Sequence, residues 1–340
     1  MGAAGDGAHP LHVLMHVMGL PTARIPLLLH LHRCAPPQVN ITFLVQNADL
    51  AQCAEYCHPS NTLRTCNCLG THGAATRRAH PLHRTTHRTL AKFATGKSHL
   101  LYVHGDMWVN IATFMRQQFY QSGRIALTPS NRAADGFLSD VARPAAKSRY
   151  PSEDGDPIPN SGPDCVPLEL MQNCSAVPHW CGPQRNHYCP RQRCGQHAWL
   201  WWQRSHESCP AAASNRLVRG RVRACCIGWS DLIFLPASMH RTFRVLAGVF
   251  AGVFHEVALP TILNALPALS RDHSAQFKSL SCAGSCCGAI DLRADWMANM
   301  CAHRVALQNI SLEDERLRGR CVNHQQTEWH VRTAASVGGS

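Results

Sequence analysis

The stretch Leu100–Asp106, LLYVHGD, is a compact apolar run that stops on a polar turn. The residues that follow, Met107–Tyr120, carry Met107, Ile111, Phe114 and Met115 on one side of a helix. A short apolar run rich in branched and aromatic residues and bounded by Gly reads as a buried strand, whereas apolar spacings of about three and four read as a helix. Strand, turn and helix together are the unit of an open α/β sheet, in which ligands bind beyond the carboxyl ends of the strands. The expected fold class is therefore α/β, with Asp106 at a strand end or, equally, as the N-cap of the following helix.

Downstream, Ala142–Pro167 is dense in Pro, Gly, Ser, Asp and Glu and reads as a linker or surface loop. Residues 165–209 form a Cys- and Trp-rich insertion around Trp199, Trp201 and Trp202, which would either stack on a sugar or cover a small disulfide core. Gly228–Pro236, GWSDLIFLP, reads as a turn and then a buried strand that proline stops. Met239–Phe254 follows as an amphipathic helix with Phe243, Leu246, Phe250 and Val253 at helical spacing. Val245–Leu269 is long and apolar, but His255, Glu256, Pro260 and Pro267 interrupt it, so it reads as core rather than as a membrane span.

Upstream, residues 1–97 show little sustained periodicity and read as a poorly structured or degenerate region with one strand at Val39–Val45, VNITFLV. His72, His80, His83 and His87 read as a metal patch or, in the plainer alternative favoured by the lack of acidic partners, a solvated loop. Leu11–Leu31 is apolar but broken by His12, His16, Arg24, His30 and two prolines, which makes it a poor spanning helix. Met1–Pro10 lacks the basic flank and apolar run of a secretory leader.

Of the 340 residues 45% are hydrophobic and 16% charged, a balance that favours a folded core over disorder. The net charge of +12 is spread thinly, with its densest groups at Arg191–Arg193 and Arg216–Arg223. No basic stripe interleaved with aromatics is present, which argues against nucleic acid and favours small acidic partners or anionic glycans. The 18 cysteines include Cys53/Cys57, Cys66/Cys68, Cys225/Cys226 and Cys282/Cys286/Cys287. They lack the paired short brackets a tetrahedral zinc site needs, so disulfides are expected. The sequons at Asn40, Asn173 and Asn309 point the same way, to the secretory route.

Ionisable groups set inside apolar runs are costly unless paired, and they mark candidate sites. His104 with Asp106, Asp231, and His255 with Glu256 meet that description, each where a strand or helix joins a turn. The plainer roles are a turn residue for Asp231 and a buried ion pair with His255 or an arginine for Glu256.

The segments Leu101–Asn110, Gly228–Pro236, Phe254–Leu263 (FHEVALPTIL), Cys282–Asp291 (CAGSCCGAID) and Cys301–Leu307 (CAHRVAL) resemble uncharacterised proteins similar to secretory-pathway glycosyltransferases of the GT-A type, over about two thirds of the chain. The resemblance implies a GT-A-like mixed sheet flanked by helices, a nucleotide-sugar donor, a glycan or glycoprotein acceptor and a location in the Golgi lumen or outside the cell. In that family an Asp-x-Asp at a strand end holds Mn²⁺ or Mg²⁺ and the donor diphosphate. The matching positions are His104-Gly105-Asp106, with an imidazole in place of the first carboxylate. His303 is the later histidine that would complete the metal shell, Glu256 or Asp231 would act on the acceptor, and Trp199, Trp201 or Trp202 would stack on sugar.

The implied layout is an N-terminal region at 1–97, a transferase-like domain at 98–308 and a polar tail at 309–340. The alternative from another class is a non-catalytic Cys-rich lumenal or extracellular binding protein. Convergence of Asp106, Asp231 and Glu256 on one cleft separates the two readings.

Overall fold

The computed structural model describes residues 9–17, 24–31, 35–36, 38–58, 66–71, 86–105, 107–130, 164–168, 205, 207–227, 230–270, 275–284 and 300–303. Its organising feature is a seven-stranded mixed sheet flanked by helices. Strands β1 (Leu11–His16), β2 (Asn40–Gln46), β3 (Cys66–Thr71) and β4 (His99–His104) come first in the chain. The short β5 (Met107–Val109) leaves the sheet, and β6 (Ile125–Ser130) rejoins it. After the pair β7 (Asp164–Pro167) and β8 (Ala224–Ile227), β9 (Leu232–Leu235) and β10 (Gln276–Ser281) complete the sheet. The spatial order is β10-β6-β9-β4-β1-β2-β3, and only β9 runs against the rest.

Residues before 98 supply three of these strands, of which β1 and β2 lie inside the sheet and β3 at its edge. The expectation of a poorly structured or degenerate region with one strand at 39–45 is thereby corrected. Leu11–His16 forms a strand because both its faces are buried: Val13 and Met15 enter one apolar layer, Leu14 the other. Covered on both faces, the strand shows no alternation, and His12 and His16 interrupt its apolar run, which hides it from a search for periodicity. Its two histidines are accommodated by cross-strand partners, His12 Nε2 lying 2.9 Å from Thr42 Oγ1 and His16 Nδ1 2.8 Å from the Tyr102 hydroxyl.

Helices α1 (Ile25–Leu31), α2 (Leu50–Tyr56), α4 (Ile111–Arg116) and α5 (Gln118–Ser122) contribute to the first layer, except that α3 (Thr86–Phe93) belongs to the second. There α3 joins α6 (Ser208–Ala213), α7 (His240–Val249) and α8 (His255–Leu269). Phe114, Phe119, Tyr120 and Phe234 stack edge to face or tilted in the first layer, with ring centroids 4.9 Å apart for Phe114 and Phe119. Each fully buried side chain of this kind contributes roughly 1.5–3 kcal/mol of transfer free energy.

The helix expected over Met107–Tyr120 starts later. Met107–Val109 pairs instead with β12 (Cys301–His303), which also pairs with β11 (Ala283–Gly284). Asn110 then caps α4, its Oδ1 accepting from the Thr113 amide at 3.0 Å, so Asn110, not Asp106, is the N-cap. The long apolar stretch at 245–269 divides at Phe250–Phe254 into α7 and α8 and is core. Among the described residues no helix is long and apolar enough to cross a membrane.

Disulfides staple the periphery of the sheet. Cys53 on α2 and Cys57, its C-cap one turn on, bond to Cys68 and Cys66, two residues apart on β3. Spacings of four on a helix and two on a strand each put both residues on one face, so the two bridges run side by side. Cys225 and Cys226 point to opposite sides of β8 and bond to Cys209 on α6 and to Cys165 on β7. Cys282–Cys301 ties the end of β10 to β12. Such bridges persist in oxidising compartments and fit a lumenal or secreted protein.

Candidate functional site

The chain builds β1, β2 and β3 outward in one direction and then returns to place β4 on the other side of β1. Strand order therefore reverses between β1 and β4, and open α/β sheets bind ligands in the crevice beyond the carboxyl ends at such a switch point. His16 and His104 are the last residues of those two strands and are partners in register. Their rings meet edge to face with centroids 5.0 Å apart.

Because β9 is antiparallel, its beginning lies at the same edge of the sheet as the end of β4. The His104 amide donates to the Asp231 carbonyl at 2.6 Å, which extends the β4–β9 ladder by one bond. The same approach sets the His104 Nδ1 and Asp231 Oδ1 atoms 4.0 Å apart, with the two side chains 17% and 24% exposed. An imidazole and a carboxylate thus reach solvent side by side at the switch point.

Beneath them lies the start of α8. The Ser230 hydroxyl donates to Glu256 Oε2 at 3.2 Å, and His255 Nε2 donates to Glu256 Oε1 at 3.1 Å. Glu256 is 7% exposed and has both carboxylate oxygens engaged. It is a buried bracing group, the plainer of its two expected roles.

Burial pushes the His255 imidazole down to about 3; the Asp231 carboxylate opposes this shift and the His104 imidazole adds to it. Burial likewise lowers His87 on α3 to about 4, with His255 adding to the shift and the Phe250 carbonyl opposing it. His87 is fully buried, which corrects the solvated-loop reading at that position, while His72, His80 and His83 lie outside the described residues. His255 thus lies near enough to His104 and Asp231 on one side and to His87 on the other for each to affect, or be affected by, its charge.

Asp106, Trp199, Trp201 and Trp202 lie outside the described residues, as do Asn173 and Asn309. Asn40, by contrast, is exposed at the start of β2. His303 belongs to β12, where its backbone pairs with Met107. Of the residues singled out from sequence, the structure brings His104, Asp231, His255 and Glu256 together. It adds His16, Tyr102 and Ser230, which had not been singled out. One signal for His16 was available, since LHVLMH and HLLYVH are both six-residue apolar runs ending in His.

For a cation, His104 at the strand end offers one imidazole nitrogen, and Asp106, two residues on in sequence, one carboxylate oxygen. A mixed donor set suits Mn²⁺ better than the oxygen-seeking Mg²⁺. Among the described residues, the only cluster of three possible ligands close enough to share an ion is Cys53, Cys57 and Cys68. All three are consumed in disulfides.

No family model matches the chain, and no curated protein is similar to it.

Proposed function

We propose that this chain is a Mn²⁺-dependent glycosyltransferase of the GT-A type, acting in the Golgi lumen or outside the cell. It would move a sugar from a nucleotide-sugar donor to a glycan or glycoprotein acceptor. The observation that carries this reading is the pairing of His104 and Asp231, 4.0 Å apart and both partly exposed, at the β1/β4 switch point of a mixed sheet flanked by helices. Disulfide bonding supports the compartment.

The roles follow from chemistry. His104, with Asp106 two residues on, would hold the cation that neutralises the departing diphosphate, and His303 is the further candidate ligand. Asp231 is the carboxylate with solvent access and takes the role of base toward the acceptor hydroxyl. Glu256, buried and doubly engaged, is assigned to bracing instead. Trp199, Trp201 and Trp202 are the candidates for stacking on sugar.

The test is thermal stabilisation of the purified protein by a panel of nucleotide sugars with and without Mn²⁺, followed by donor hydrolysis with the best of them. One donor should stabilise the protein only when Mn²⁺ is present, and Asp231→Asn should keep that stabilisation while losing turnover. Mn²⁺-independent stabilisation, or full turnover in Asp231→Asn, would overturn the assignment. Donor binding without any turnover would point to a binding protein instead.

A further inference from the structure

A concavity lies away from the His104–Asp231 pair, between residues 220–224 and α8. It is a half-open groove of about 460 Å³, within the roughly 300–1,000 Å³ typical of small-ligand sites. Arg221 and Arg223 line one wall, while Asn264, Ala265 and Ala268 of α8 line the other. Val222, between the arginines, is buried, so the two guanidinium groups share the open side of the segment.

The walls are held in place. Thr261 Oγ1 accepts from the Cys226 amide at 2.8 Å, and its hydroxyl donates to the Cys226 carbonyl at 3.3 Å. Cys225 and Cys226 are each disulfide-bonded. Helix and turn therefore form a preformed cleft, which lowers the ordering cost of binding.

Among the described residues neither Arg221 nor Arg223 pairs with a carboxylate, and no carboxylate lines the groove. The half-buried Asn264 side chain likewise has no hydrogen-bond partner among them. Two planar cationic forks, one amide and a floor of small apolar groups match a particular ligand chemistry. Carboxylate or sulfate would meet the forks, hydroxyls the amide, and the apolar face of a pyranose the alanines. Among the described residues no aromatic ring lines the groove, whereas small apolar groups and an amide do, which favours a saccharide over a nucleotide.

We infer that this groove is a binding site for an acidic saccharide carrying carboxylate or sulfate groups. Asn264 lies about 12 Å along α8 from Glu256, at about 1.5 Å per residue. The site is therefore separate from the crevice, and the inference stands whether or not the transferase reading holds.

Calorimetric titration of the full-length protein with a sulfated chondroitin hexasaccharide, an oligogalacturonate hexamer and neutral maltohexaose tests it. At least one acidic hexamer should bind and maltohexaose should not. Arg221→Ala with Arg223→Ala should weaken binding at least tenfold, and Asn264→Ala about threefold, each with an unchanged circular dichroism spectrum. Arg216→Ala with Arg219→Ala removes the same charge outside the groove and should leave binding within about twofold of the parent. Absence of binding to both acidic hexamers, equal loss in the control pair, or equal binding of an oligoglutamate of matched charge would each overturn the inference.

Discussion

The Ser230 hydroxyl donates to Glu256 Oε2 at 3.2 Å, tying the residue just before Asp231 to the first turn of α8. A buried carboxylate 26 residues away in sequence thereby sets where the crevice carboxylate stands. Removing one partner from a buried charged network costs more than the network contributes, because the other groups are left without compensation. Glu256→Ala should therefore destabilise the protein by roughly 2–4 kcal/mol in urea unfolding, and Glu256→Gln, which keeps an acceptor for His255, by distinctly less. Equal midpoints for Glu256→Ala and the parent would remove the bracing role.

The crevice itself is tested at His104. Its imidazole is partly exposed and neighbours both His16 and Asp231, so truncation should leave the core intact. His104→Ala should abolish Mn²⁺-dependent stabilisation by the donor while shifting the melting temperature of the ligand-free protein by no more than about 2 °C. A variant that still responds to Mn²⁺ and donor as the parent does would place the cation elsewhere.

Acid should loosen the opposite edge of the sheet. The Gly96 amide donates to His240 Nδ1 at 2.9 Å and the Ala237 amide to His99 Nδ1 at 3.1 Å, and only an unprotonated Nδ1 can accept. Burial holds both imidazoles down at about 4, against 6.5 ordinarily, with neighbouring histidines lowering His99 further and the Leu235 carbonyl opposing the shift at His240. Between those values the unfolded chain binds more protons than the folded one, so their contribution is present above about pH 6.5 and is lost as pH falls toward about 4. Urea midpoints at pH 7.5, 6 and 5 should fall in that order, and His240→Gln should flatten part of the slope. A midpoint that rose on acidification would contradict the sign.

Reduction should act locally first. Cys209–Cys225 closes a loop with a sequence separation of 16, and a loop of about that size corresponds to roughly 3 kcal/mol in the chain-entropy account. The pair Cys209→Ala with Cys225→Ala should lose about 2–4 kcal/mol by chemical denaturation. It should also weaken ligand binding in the Arg221/Arg223 groove, whose wall the bridge supports. Unchanged stability would show that the packing of α6 alone holds that wall.

At the centre of the first layer, Phe234 touches the rings of Phe114, Phe119, Tyr120 and His99. Phe234→Ala should cost about 3–5 kcal/mol, measured by thermal or urea unfolding, whereas Phe234→Leu should cost distinctly less. A loss below about 1 kcal/mol would mean that this layer can collapse around the void.

Several elements from Leu100 onward were legible because their signals are local. Leu232–Leu235 ends at a proline, and His240–Val249 repeats its apolar residues at helical spacing. The apolar run at Leu100–His104 is interrupted by nothing. Each such pattern reports one element without reference to any other.

Leu11–His16 carries no such signal, because its histidines break the run and both faces are buried. Thr42 and Tyr102, far off in sequence, make those imidazoles acceptable in a strand interior. The cysteine spacings of four and two likewise acquire meaning only when α2 lies against β3.

By itself, then, the sequence determined an α/β chain, an oxidised set of cysteines, and His104, Asp231 and the His255–Glu256 pair as polar groups in costly positions. Contacts between distant segments, by contrast, put β1 inside the sheet between β4 and β2, His16 beside His104, and Glu256 in a buried pair while Asp231 reaches solvent. The reason is physical. Propensity and periodicity act over a few residues, whereas strand order, burial and the partner of a buried charge are set by segments brought together from across the chain.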